Sequence, residues 1–325
     1  MSNALTTFRL PAPPDCVWPG DEATGVPPYL VSDEVATALK VALATGRPLL
    51  ISGPPGSGKT TLAKATAHAQ GWGYLKHTLT SRSRLEDLTA EIDQLQRLHD
   101  AQVTAAGGAT ELMPEWAYLK PGLLWWGFDA HSAPLKGREL AEIESLKSFR
   151  PPSRPKTLRE AGAGVVILLD EIDKAEPDLP NDLLEPLDQR AFSLPDGTEI
   201  QAPKTLALLV IITTNGERDL PPAFLRRCLH LELRRPEEEE LQRIAHFHFR
   251  DRRSPEHAAV FAAVAKQFDE VEAETKGAGR RPPGTSEYLD AVRACLELGI
   301  TPDSDTWRQV EQATLRKQPR ADRGI

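Results

Sequence analysis

Pro48-Leu49-Leu50-Ile51-Ser52-Gly53-Pro54-Pro55-Gly56-Ser57-Gly58-Lys59-Thr60 is the stretch whose chemistry decides the fold. Its apolar start has the character of a strand, and the rest carries the G-x-x-x-x-G-K-[ST] spacing of a phosphate-binding loop. Gly53, Gly56 and Gly58 reach backbone angles closed to other residues and let the main chain approach a phosphate closely. Gly53, Pro54, Pro55, Gly56, Ser57 and Gly58 form the predicted cradle, with Lys59, Thr60 and Thr61 opening the next helix. Successive N–H groups and the helix start make an anion-binding concavity. Lys59 supplies a mobile positive charge for the terminal phosphates, and the Thr60 hydroxyl is a ligand for magnesium. Strand before and helix former after (Thr61 to Ala65) complete the context, so the chain is expected to bind a nucleoside triphosphate.

Two further apolar runs extend this unit. Val165 to Leu169 and Leu206 to Ile212 are continuous, as strands buried on both faces of a parallel sheet must be. Helical segments alternate with them, which predicts an α/β sheet wound with crossovers. Ser32-Asp33-Glu34 opens a helix that runs to Gly46, and Trp72 to Thr78 is a strand. Leu85, Leu88, Ile92, Leu95 and Leu98 recur at spacings of three and four, which predicts one amphipathic helix over 84–102 with its stripe in the core. The cluster Leu123-Leu124-Trp125-Trp126-Gly127-Phe128 has no interleaved basic residues, so core packing is preferred to base stacking. Residues 130–160 are mixed in charge and proline-bearing, and are expected as an inserted surface segment. Residues 1–28, rich in proline, are expected as an extended arm. Past Arg235 short amphipathic helices take over, opened by Pro236 and Glu237 to Glu240. The predicted division is an arm at 1–28, an α/β core at 29–234, a small helical domain at 235–316 and a frayed tail at 317–325.

The strand ending Leu168-Leu169-Asp170-Glu171 brings two acids to the sheet edge where ligands sit in open parallel sheets. Asp170 suits magnesium, and Glu171 suits the polarisation of an attacking water. Asn215, after the next buried strand, is placed to orient that water, although Asn215-Gly216 is also a common turn pair. Arg226 and Arg227 close a helix. Their residue types leave two roles open, complementing the helix dipole or reaching into a neighbouring subunit's nucleotide site.

The order of these motifs resembles the AAA+ ATPases. More narrowly, Asp170 to Ala175, Leu183 to Arg190 and Leu220 to Leu225 are similar to the MoxR and dynein-related branch, over roughly residues 29–316. The resemblance implies a P-loop NTPase parallel sheet sandwiched by helices, then an all-α lid, assembled as a ring, usually a hexamer, that hydrolyses ATP with Mg2+ and remodels a client protein. Members often work with a von Willebrand factor A domain partner. By the same resemblance Gly53, Gly58, Lys59 and Thr60 belong to Walker A, and Asp170 with Glu171 to Walker B. Asn215 matches sensor 1. Arg227, or Arg226, matches the arginine finger, and Arg281, or Arg280, matches sensor 2. Adenine is expected near Leu30 and Val31. The stretch from Thr60 to Asp170 is longer than a minimal core needs, so an insertion is placed at about 100–160.

Composition narrows the alternatives. A net charge of −8 argues against a broad nucleic-acid-binding face, the basis of a second reading as a nucleic-acid motor or restriction-type NTPase. A third reading, a scaffold that binds ATP without turning it over, is disfavoured by Glu171 and Asn215. Cys16, Cys228 and Cys295 are odd in number and widely spaced, as in a reducing compartment. Met1 to Thr7 has no signal-peptide pattern, and no apolar run is long enough to cross a membrane. A cytoplasmic protein is expected. The histidines show no metal-ligand spacing.

Overall fold

The computed structural model describes residues 7–107, 112–146, 148–158, 164–277, 281–301, 304 and 306–316. Along the chain these form β1 (Val17–Trp18), β2 (Tyr29–Leu30), α1 (Asp33–Thr45), β3 (Leu49–Ser52), α2 (Lys59–Gln70), β4 (Gly73–Thr78), α3 (Leu85–Leu88), β5 (Ala90–Ile92), α4 (Gln94–Ala105), β6 (Leu119–Pro121), α5 (Leu123–Phe128) and α6 (Leu140–Glu144). Then follow β7 (Gly164–Asp170), α7 (Leu179–Asp182), α8 (Leu184–Gln189), β8 (Ala191–Ser193), β9 (Glu199–Gln201), β10 (Ala207–Thr214), α9 (Pro222–Arg227) and β11 (Leu229–Glu232). The helices α10 (Glu238–His248), α11 (Pro255–Gly277), α12 (Thr285–Leu298) and α13 (Trp307–Thr314) complete the described chain.

Five strands make one parallel sheet in the order β11-β3-β10-β7-β4. Neighbours in this order are distant in sequence, so helices must cross between them, and the expected α/β class holds. Every residue of β7 and of β10 is buried, which explains why both sequences are continuous apolar runs rather than alternating ones. The register sets Thr78 beside Asp170 and Ile212 beside Leu169, so strand ends of like polarity finish together.

The described residues gather into two compact units. The first takes in the described residues of 1–10, 33–51 and 66–231. Its core joins sheet residues such as Ile167 and Ile212 to Trp125 and Phe128 of α5, all fully or almost fully buried, so the aromatic cluster is core. The second takes in 11–32, 52–65 and the described residues from 232 onward. Here Leu241, Phe261, Phe268, Tyr288, Val292 and Trp307 from α10 to α13 form a separate core. Burial of this size explains why the amphipathic period survives through these four helices.

Three expectations are corrected. The single helix over 84–102 is instead α3, β5 and the start of α4. Arg84 N–H bonds to Asp87 Oδ2 at 2.8 Å to open α3, and Thr89 Oγ1 returns to Leu85 O at 2.9 Å to close it. β5 then pairs antiparallel with β6, and Asp93 caps α4 by accepting from Gln96 N–H at 3.0 Å. The stripe therefore splits. Leu88 is fully buried, but Leu95 is 81% and Leu98 57% exposed, while the residue α4 turns inward is Asp100, bonded to the Tyr118 hydroxyl at 3.0 Å.

The extended arm is also corrected for its described part. β1 pairs with β2, Asp21 bridges to Val26, and Trp18 and Val26 are buried. The proline-rich segment therefore folds back on itself with two apolar side chains buried. Within 130–160, Ala133, Ile143 and Phe149 are buried, the last two with Ala117, so the segment is only partly surface. The tail at 317–325 lies outside the described residues.

Candidate functional site

The phosphate-loop sequence adopts a tight shell around its own backbone. Gly53 (φ 145°) and Gly56 (φ 81°) lie where L side chains rarely go. Space closes Gly53, where a Cβ would sit 2.5 Å from Leu233 O, and is tight at Gly56, where one would sit 3.3 Å from Gly284 Cα. Lys59 begins α2, is 8% exposed, and donates from Nζ to Gly53 O at 2.7 Å and Pro54 O at 3.0 Å. Its ammonium is thus held over the loop rather than in solvent. Among the described residues, Ser57 Oγ is buried with no hydrogen-bond partner, a polar orphan that fits a phosphate-bearing ligand. Val31 is buried beyond β2, its N–H bonded to Cys16 O at 2.8 Å. Tyr29 packs on the loop at Gly58, and burial raises its hydroxyl pKa.

The acid pair belongs to the first unit. Asp170 ends β7 and is 7% exposed. Thr213 Oγ1 donates to Asp170 Oδ1 at 2.6 Å, and Lys76 Nζ lies 2.7 Å from Oδ2. Glu171 follows in a left-handed conformation (φ 62°, ψ 53°), its N–H donating to Thr213 Oγ1 at 2.9 Å. Its carboxylate lies 3.0 Å from Lys174 Nζ, and that bond raises the lysine pKa. Asp173, 3% exposed, accepts through Oδ2 from Asn215 N–H at 3.1 Å and Glu217 N–H at 3.0 Å. The end of β10 is thereby tied to the turn after β7, which brings Asp170, Glu171 and Asn215 to one sheet edge.

At the end of α9, Arg47 donates to the carbonyls of Arg227 at 3.0 Å and Cys228 at 3.2 Å, and to that of Arg226, so the helix C-terminus is satisfied by a side chain from before β3. Arg226 and Arg227 are both exposed, and the Arg227 guanidinium pairs with Asp188 of α8. Arg281 precedes α12; its side chain is 63% exposed and 3.9 Å from Glu287. Arg280 lies outside the described residues.

A family model, AAA domain (dynein-related subfamily), matches residues 48–228, from the start of the phosphate-loop strand to the end of α9. The chain belongs to this AAA family. No curated protein matches it.

The match makes the chain an AAA+ ATPase by family and nucleotide binding the expectation for its loop. Lys76, Thr213 and Asp173 of this AAA domain, and Arg47 just before it, bond to the expected residues or their neighbours, and sequence reading did not single them out. Lys76 sat inside a recognised strand and Thr213 just past one, and register was the information needed to aim them at Asp170. Asp173 follows the acid pair by two residues, but its task is to hold backbone N–H groups, which no spacing announces. No group of three or more His, Cys, Asp or Glu placed to hold a metal ion, and no helix long and apolar enough to cross a membrane, occurs among the described residues.

Proposed function

We propose that this AAA protein hydrolyses ATP with Mg2+ as a ring of identical subunits and uses the cycle to remodel a client protein. The reading rests above all on the acid pair: one buried carboxylate fixed at the strand end, and a second beside it whose backbone is turned into a left-handed conformation. In it, Gly53 to Thr61 hold the phosphates with Lys59, and Thr60 and Asp170 are the hard oxygen donors for Mg2+. Mg2+, when bound, supplies charge neutralisation at the phosphates. Glu171 accepts the proton of the attacking water and Asn215 orients that water. Val31 borders the adenine. Arg281 must leave Glu287 to act on a phosphate.

Arg227, with Arg226 beside it, completes the neighbour's site. It is exposed in the last turn of α9, which suits a residue that acts outside its own chain. The family likeness to the MoxR branch adds a hexameric ring, a von Willebrand factor A domain partner and a cytoplasmic place of work. It also supports a core at 29–234 and a lid at 235–316.

A mixing experiment tests the shared site. Glu171→Gln and Arg227→Ala should each lower turnover by about 100-fold or more. Mixed together they should recover activity, since some interfaces then join an intact Glu171 to an intact Arg227. A mixture no faster than its separate components would overturn the ring reading.

A further inference from the structure

Thr213 is the next-to-last residue of β10, where a β-branched side chain suits the strand and its hydroxyl is one of two that end an otherwise apolar buried run. The register puts Ile212 beside Leu169, so Thr213 comes level with Asp170. It is 1% exposed. A hydroxyl has one proton to give, and here it goes to Asp170 Oδ1 at 2.6 Å. A lone pair is left for the Glu171 N–H at 2.9 Å. One oxygen therefore fixes the side chain of the first acid and the backbone of the second. Lys76 takes Asp170 Oδ2, so both carboxylate oxygens are aimed.

We propose that Thr213 is a positioning residue for ATP hydrolysis: its hydroxyl holds Glu171 left-handed, so that water activation is aligned, while Lys76 also keeps Asp170 in place. The inference rests on the ATPase reading above. A base displaced by about 1 Å costs about 100-fold in rate, whereas phosphate contacts made by the loop are untouched.

Thr213→Val keeps the branched shape and deletes the hydroxyl; Thr213→Ser keeps the hydroxyl and deletes the methyl. The valine variant should lose about 100-fold in kcat with KM for ATP nearly unchanged, and the serine variant should recover to within a few-fold of wild type. Crystal structures of both variants give the second readout: Glu171 should leave positive φ with valine and keep it with serine. Unchanged turnover with valine, equal losses in both variants, or a Glu171 still at positive φ with valine would each overturn the proposal. Thr213→Ala serves the same two measurements if the valine chain does not fold. A wild-type protein that hydrolyses no ATP would overturn the ATPase reading instead, and the Glu171 conformation would still decide the role of Thr213.

Discussion

Glu171 holds a left-handed backbone that costs a residue with a Cβ about 1 kcal/mol, and Thr213 and Lys174 bond to it on either side. Lys59 shows the same economy, bonding to carbonyls of its own loop. Lys59→Met should weaken ATP binding about 10- to 100-fold, the worth of hydrogen bonds to a charged group, as measured by equilibrium titration with a fluorescent ATP analogue. An unchanged affinity would remove Lys59 from the site. Residues such as Lys59, Asp170 and Glu171 were legible in the sequence because phosphate chemistry demands fixed types at fixed spacing. Thr213 and Lys76 were not, because their meaning depends on which strand lies beside which, and that is settled by sheet order rather than by local pattern.

At the scale of elements, long buried strands were readable and the α3-β5-α4 region was not. Spacings of three and four were met by two short helices and a strand in turn, and pairing of β5 with β6 overrode the helical period. Gly122 shows how close that packing is, since a Cβ there would fall 2.4 Å from Leu88 C. α10 carries a testable titration. Burial, then the Arg293 charge, push His248 down to about 4 against a bond to the Pro28 backbone that pulls it up. With the folded value below the ordinary one near 6.5, its contribution is fully present above pH 6.5 and is lost as pH falls toward 4. The loss is on the order of 2 kcal/mol after allowance for partial exposure. His248→Gln should therefore lose less stability than wild type between pH 6.5 and 4 in urea unfolding. Parallel losses in the two proteins would show that His248 titrates normally.

For the whole molecule, the grouping of the chain is not the order of the chain. Ser52–Ala65, which carries the phosphate loop, gathers with Pro11–Ser32 and with the described residues after Leu231. Gly53 lies against Leu233, and Gly56 against Gly284 and Glu287, with no room for even a methyl group at Gly53. A chain cut after Leu231 would keep every residue of the family match, including Lys59, Asp170 and Glu171, and would still strip the loop of its outer wall. Calorimetry should find ATP binding lost from that shortened chain although circular dichroism shows its sheet intact; binding at full strength would mean the loop stands unaided. That loss would make the C-terminal helices foundation to the nucleotide loop, and would mean that no minimal ATP-binding fragment can be trimmed from the N-terminal two-thirds of this protein.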